Sequence, residues 1–336
     1  MIEAPSISPS KLLKDLDALW LHLGENQEDP NHASAVLRAC AMTLIAVVEG
    51  DVGQEEIGET LALLVREHPS RLIVVKVFDG AAPRLEGGVT AQCWMPFGKR
   101  QQICCEQIVL SVSRSSLVEI PPVIRGLIVP DLPVACWVRS HTLVHEDLTG
   151  VIDLSNKLIV DSGGVSDLDR QIQFIRNNEA GPRRVGDLAW TRLTRWRQAI
   201  AQLFDDAGGG QRAQLVIAVR IDYQGDFVPM SAYYLVAWLF HCLERTIGFD
   251  FVKVGDGDRA RVQSVALLGS GGDLSISVSR DRDVELHTGL RCAHTIFPRL
   301  REDELLREEL SVLGPDPVYE AVIGIVPALL LQEPPK

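Results

Sequence analysis

At 336 residues, 46% hydrophobic and 23% charged, the chain has room for two domains with a core each. Its 33 Lys and Arg against 45 Asp and Glu leave a net charge of −12, which excludes a general nucleic-acid binder with a basic footprint. No apolar run approaches the roughly 20 residues that span a bilayer, and the opening MIEAPSISPSKLLKDL lacks the basic segment and apolar core of a secretory signal, so a cytoplasmic location is expected.

Taken in order, residues 8–23 place Leu12, Leu13, Leu16, Leu19, Trp20 and Leu23 at helical spacing, after which 25–31 form a polar linker. Residues 37–48 are apolar and unpatterned, either a buried strand or a helix running into one. A helix over 54–68, with Ile57, Leu61, Leu64 and Val65 on one face, stops at His68-Pro69 because the residue before proline resists the helical region. Residues 71–78 then read as a strand, giving a strand–helix–strand unit that favours a parallel pair.

Residues 89–95 and 101–112 flank Pro96-Phe97-Gly98-Lys99, a hairpin turn. Residues 101–112 read as a central strand, with Cys104, Glu106, Ile108, Leu110 and Val112 on one side and Ile103, Cys105, Gln107 and Val109 on the other. A carboxylate on such a face needs a partner, and Arg139, Arg125 and Arg100 are the candidates near in sequence.

Further on, 117–128 is a weak helix interrupted near Pro121-Pro122, and Pro130-Asp131-Leu132-Pro133 turns the chain into a strand at 134–138. Helical sequence around 146–154 precedes a strand at 158–161. Residues 188–205 form the longest clean helix, with Ala189, Leu193, Trp196, Ile200, Leu203 and Phe204 in one stripe. Gly208-Gly209-Gly210 follows, which sets the expected domains at 1–206 and 211–336.

The second half reads as a strand at 214–221, an apolar helix at 231–245 and short alternating strands that include 273–281 and 284–290. Helices at 302–313 and 318–331 close it. The expected fold class is α/β: a mixed, largely parallel sheet with helices, then an α+β domain with an antiparallel meander.

Chemical signatures are few. There is no Gly-x-x-x-x-Gly-Lys-Ser/Thr loop, no G-x-G-x-x-G opening a helix and no G-x-S-x-G. Gly269-Ser270-Gly271-Gly272 reads as a hairpin turn, because strand sequence follows it. His141 and His145 have i,i+4 spacing without H-E-x-x-H and read as loop histidines, so no metal is assigned. No cofactor is assigned either.

The seven cysteines lack C-x-x-C spacing and read first as reduced, apolar core fillers. A Cys104–Cys105 bond would need a non-strand backbone; Cys93 across the hairpin or Cys136 on a neighbouring strand is the easier partner. Cys93, Cys104, Cys105 and Cys136 are therefore the redox candidates. Arg183, Arg184, Trp190, Arg192, Arg195, Trp196 and Arg197 form a basic-aromatic cluster, which reads either as an anion or partner site or as core with arginines paired to Asp187 and Asp205.

Five stretches occurring in one order carry a resemblance: His68-Pro69-Ser70-Arg71 with LIVV, Cys104-Cys105-Glu106-Gln107-Ile108, VPDLPV at 129–134 with Trp137, Leu158-Ile159-Val160-Asp161-Ser162, and DLAWTRLTRWR at 187–197. Together they resemble the glucose-6-phosphate dehydrogenase assembly protein family, OpcA. The resemblance implies a non-catalytic partner of glucose-6-phosphate dehydrogenase that promotes its active form. Arg71, Glu106, Asp131, Asp161, Trp190, Arg192 and Arg197 are then the partner- or anion-binding candidates, expected around one edge of the first sheet. The alternative is a sugar-phosphate-binding enzyme or sensor that uses the arginines as an anion clamp.

Overall fold

The computed structural model describes residues 7–25, 36–50, 54–80, 84–95, 102–140, 145–205, 207–257, 259–270, 272, 274–279, 283–289, 291–312 and 314–332. The hairpin turn at 96–99, Arg100, His141, most of the 25–31 linker and Gly271 lie outside them. Among the described residues no helix is long and apolar enough to cross a membrane.

The chain divides into two compact units. The first comprises Met1–Val160, Pro182–Val185 and Glu302–Leu313; the second comprises Asp161–Gly181, Gly186–Arg301 and Gly314–Lys336. Sequence on both sides of the glycine run therefore belongs to the second unit. The run itself leads into a helix, Gly209–Leu215, rather than a linker. A Cβ on Gly209 would lie 1.7 Å from the Phe204 carbonyl oxygen, so the close turn admits glycine alone.

The first sheet has eight strands: β1 (Val36–Arg38), β2 (Met42–Glu49), β3 (Ser70–Phe78), β4 (Leu85–Trp94), β5 (Gln102–Ser113), β6 (Val134–Arg139), β7 (Lys157–Val160) and β8 (Arg184–Asp187). The order is β1-β5-β3-β2-β6-β7-β8, with β4 on β5. The β1–β5, β3–β5, β2–β3, β2–β6 and β6–β7 pairs are parallel and β4–β5 is antiparallel, so the sheet is mixed and largely parallel as expected. The unpatterned run at 37–48 is two strands. β2 is buried on both faces, which is why it shows no alternation.

Helix Gln54–Glu67 joins β2 to β3 and buries Ile57, Leu61, Leu64 and Val65, each worth about 1.5–3 kcal/mol out of water. A 3-10 helix, Arg114–Glu119, runs directly into the α-helix Ile120–Arg125, and Pro121 and Pro122 sit in the first turn of the latter, where no proline N–H is needed. Helix Glu302–Ser311, expected with the second domain, belongs to the first unit. Lys157 on β7 holds it there: Nζ lies 2.9 Å from the Glu309 carboxylate and donates to the carbonyls of Glu309 and Val312.

In the second unit β9 (Val216–Gln224) runs parallel to β10 (Gly248–Gly255) through the apolar helix Met230–Leu243. An antiparallel meander follows: β11 (Arg261–Gly269), β12 (Leu274–Val278), β13 (Asp283–Thr288) and β14 (Arg291–Ile296). The sheet order is β10-β9-β11-β12-β13-β14. On β12, Leu274 and Ile276 are buried while Ser275 and Ser277 are half-buried, the alternation that the sequence displays. Helices Leu168–Glu179 and Pro317–Leu330 complete this unit; the sequence reading contained the second but not the first.

Candidate functional site

Six of the seven candidates singled out from sequence fall into two networks, one inside each unit. In the first, β3 and β5 place Leu72 opposite Gln107, so Arg71 and Glu106 are lateral neighbours on one face. Glu106 is buried, and its Oε2 accepts from Arg71 Nε at 2.6 Å. Its Oε1 accepts from Trp20 Nε1 at 2.8 Å, out of helix Pro9–Glu25, and pairs with Arg38 of β1. The Arg38 guanidinium also lies over the Trp20 ring, 5.4 Å from its centroid. Arg71 uses a further N–H on the Leu127 carbonyl at 2.8 Å.

The demand for a partner was thus real, and the partners differ from those near in sequence. Arg139 bonds Glu302 and Glu56, Arg125 is exposed, and parallel pairing delivers Arg71 and Arg38 instead.

Cys93 and Cys104 face each other across β4 and β5 and form a disulfide, with their Cα atoms 4.1 Å apart. This corrects the reading of all seven cysteines as reduced. Cys105 points to the opposite face and donates to the Ala39 carbonyl. Burial pushes the Cys105 thiol up to about 11 and the Cys136 thiol up to about 12, so neither forms a thiolate at neutral pH.

The second network gathers at the turn after β7. Arg192 grips Asp161 through two parallel bonds of 2.7 Å. Asp161 Oδ1 also accepts from the Gly163 N–H at 3.0 Å, and a Cβ on Gly163 would sit 3.0 Å from that oxygen and 3.2 Å from Arg192 Nη1. Glycine leaves room for the pair to lie over the turn.

Beside it, Asp187 is wholly buried. Its Oδ1 accepts from the N–H groups of Ser162 (3.0 Å) and Ala189 (2.9 Å), and its Oδ2 accepts from the Tyr234 hydroxyl at 2.7 Å. Burial, and then the nearby Asp161 carboxylate, push the Asp187 carboxyl up to about 6, against the pull of the Ser162 and Tyr234 hydrogen bonds.

Trp190 forms the aromatic centre of this network. The Arg197 guanidinium stacks 3.6 Å from its ring centroid and donates to its carbonyl, while its indole N–H donates to Asp316 at 3.2 Å. Tyr319 and Tyr234 pack on the ring at 5.5 and 6.0 Å.

This geometry requires the expected long helix to break. It runs as Leu188–Thr191 and Thr194–Gln202, because Leu193 bonds back three residues to Trp190 and the Thr191 hydroxyl bonds the Asp187 carbonyl. Trp196 is core, edge-on to Phe297, and Arg183 pairs with Asp153 rather than Asp187.

Of the seven candidates, Arg71 and Glu106 join in the first unit, and Asp161, Trp190, Arg192 and Arg197 join in the second. Asp131 stands apart from both, exposed in its turn with φ 63°, a left-handed conformation that Asp tolerates. Sequence reasoning missed Tyr234, Asp316 and Tyr319, which come from distant stretches with no local signature. It named Asp187 only as an arginine partner.

Both networks tie charged side chains to backbone: Arg71 to the Leu127 carbonyl, Asp161 to the Gly163 N–H, Asp187 to the N–H groups of Ser162 and Ala189, and Arg197 to the Trp190 carbonyl.

Two family models match the chain in tandem: one described as the glucose-6-phosphate dehydrogenase subunit N-terminal domain, over residues 62–177, and one as the C-terminal domain of that subunit, over 183–323. Both are OpcA models, and together they span most of the sequence. A Nostoc punctiforme protein named for the OxPP cycle, OpcA, is 25% identical over 219 residues, covering 64% of this chain and 46% of its own length. Its Synechocystis counterpart is 26% identical over 219 residues, covering 64% and 45%. The chain thus spans about half the length of these relatives. Among solved structures, a biliverdin reductase from Synechocystis with biliverdin and NADP+ overlaps at a TM-score of 0.44 and 10% identity, over 86% of this chain and 97% of that one. An overlap so loose says nothing about chemistry.

Proposed function

The chain belongs to the OpcA family, and from that premise we propose that it is a non-catalytic assembly factor and allosteric activator that binds glucose-6-phosphate dehydrogenase and supports the oxidative pentose phosphate pathway. The observation that carries this reading is the tandem match to both domains of the family, in order. Such a protein changes its partner's activity only by binding the active form more tightly than the inactive one, and a tenfold preference corresponds to about 1.4 kcal/mol.

The two networks support this reading over the anion-clamp alternative. A sugar phosphate would have to displace the Asp161 carboxylate from both Arg192 bonds and lift Arg197 off Trp190. Each exchange gives up a geometry already complete.

Sedimentation of the purified chain with its cognate dehydrogenase tests the proposal. The two are expected to co-sediment and to enrich the larger dehydrogenase oligomer. Titration of the isolated chain with glucose 6-phosphate or NADP is expected to give no binding heat. Independent sedimentation would sink the partner assignment, and turnover of either compound would sink the non-catalytic one.

A further inference from the structure

The two faces of the second unit's sheet are treated differently. On one, Phe249 and Phe251 of β10 meet Phe240 and Tyr233 of helix Met230–Leu243, and the same face buries Val265 and Ile276 in register with them. Alternation sends the intervening side chains to the opposite face. There the register aligns Ala266 with Ser275 and Ser264 with Ser277 in the middle of the sheet. Arg220, Asp222 and Asp250 stand to one side of them, and Glu285, His287 and His294 to the other. None of these residues is buried.

Three features of this face point to one occupant. Its centre is Ser and Ala, side chains short enough for a second sheet to stack at the usual distance of about 10 Å. Its size suffices. Six strands about 4.8 Å apart and about 25 Å long present about 600 Å² per copy, so a pair would bury about 1,200 Å², within the range of stable interfaces. Its charges are self-complementary. A two-fold axis lying between two such faces, parallel to the strands, turns the end with Asp222, Asp250 and Arg220 toward the other copy's Glu285, His287 and His294. Carboxylates then face imidazole donors, and a guanidinium faces a carboxylate.

We propose that this open face is a docking surface for a second copy of the chain, which presents the same face in return. Ser264, Ala266, Ser275 and Ser277 form the close-packed middle of the contact, and the charged ends form its polar rim. The outermost strands stay open to solvent at that rim, so Cys292 on β14 remains within reach of small reagents.

Sedimentation equilibrium of the full chain alone, over a concentration series, tests this. The wild type is expected to form a dimer that dissociates on dilution. Ser275→Arg and Ser277→Arg each place a long cation opposite its own copy at the centre, and should weaken dimerisation by about tenfold or more. Ser275→Ala keeps the side chain short and should leave it unchanged. Urea unfolding of each variant separates misfolding from loss of association. A wild-type chain that stays monomeric throughout would overturn the proposal, as would folded arginine variants that dimerise as well as the wild type. So would a wild type that is monomeric alone but loses co-sedimentation with the dehydrogenase on Ser275→Arg, a result that assigns the face to that enzyme instead.

Discussion

Glu106 shows how a residue can announce a need without naming what meets it. Its place on an apolar strand face implied a counter-charge, yet Arg71 is 35 positions away and arrives by parallel register. Removing one partner of a buried pair costs far more than loosening an exposed one. Glu106→Ala, which strands the buried Arg71, should lower unfolding free energy in urea by about 3–5 kcal/mol. Arg38→Ala should cost about 1 kcal/mol or less, since its side chain is half exposed. Equal losses would show that the carboxylate is not the organising group.

Asp187 carries the pH dependence at this scale. Its folded-state carboxyl titrates at about 6 against 3.8 unfolded, so folding favours the protonated form. That contribution is complete below 3.8 and disappears as pH rises through 6, about 3 kcal/mol in all. Asp187→Asn keeps an acceptor for Ser162 and Ala189 and offers a donor to Tyr234, but cannot ionise. Urea titrations from about pH 4 to 7.5 should find the wild type losing about 3 kcal/mol relative to this variant. A pH-independent difference would mean that Asp187 keeps its ordinary acidity.

At the scale of elements, the sequence is legible where local pattern and tertiary demand agree. β2, helix Gln54–Glu67 and β3 were readable because an apolar run, an amphipathic stripe and a His-Pro stop occur in succession. Helix Leu168–Glu179 was not, since its buried face consists of Gln171, Ile172 and Ile175, too thin a stripe to stand out. The break after Thr191 was hidden for the opposite reason: the apolar stripe continues through it, and the bonds that interrupt it involve backbone and a hydroxyl.

Strand direction likewise decides which thiols react. Cys105 and Cys136 are sealed in the first sheet, while Cys242 and Cys292 are exposed. Brief iodoacetamide treatment of the native chain, read by peptide mass spectrometry, should modify Cys242 and Cys292 and spare Cys105 and Cys136. Modification of Cys136 as fast as Cys292 would contradict the packing of β6.

For the whole molecule, fold class was readable and the partition of the chain was less so. The glycine run looked like a boundary because glycine usually marks freedom; Gly209 marks close approach instead. Helix Glu302–Ser311 returns to the first unit because Lys157 and Glu309 meet there, a pairing across 152 positions that no local pattern contains. The charges that looked most like a site, Asp161 with Arg192 and Glu106 with Arg71, are spent on holding the chain together.

The decisive measurement is the steady-state rate of the cognate glucose-6-phosphate dehydrogenase with and without this chain at matched concentration. The account predicts that the chain alone turns over nothing, and that adding it raises kcat/KM or lowers KM for glucose 6-phosphate together with a shift toward the larger oligomer. Unchanged kinetics and assembly in the presence of excess chain would contradict it.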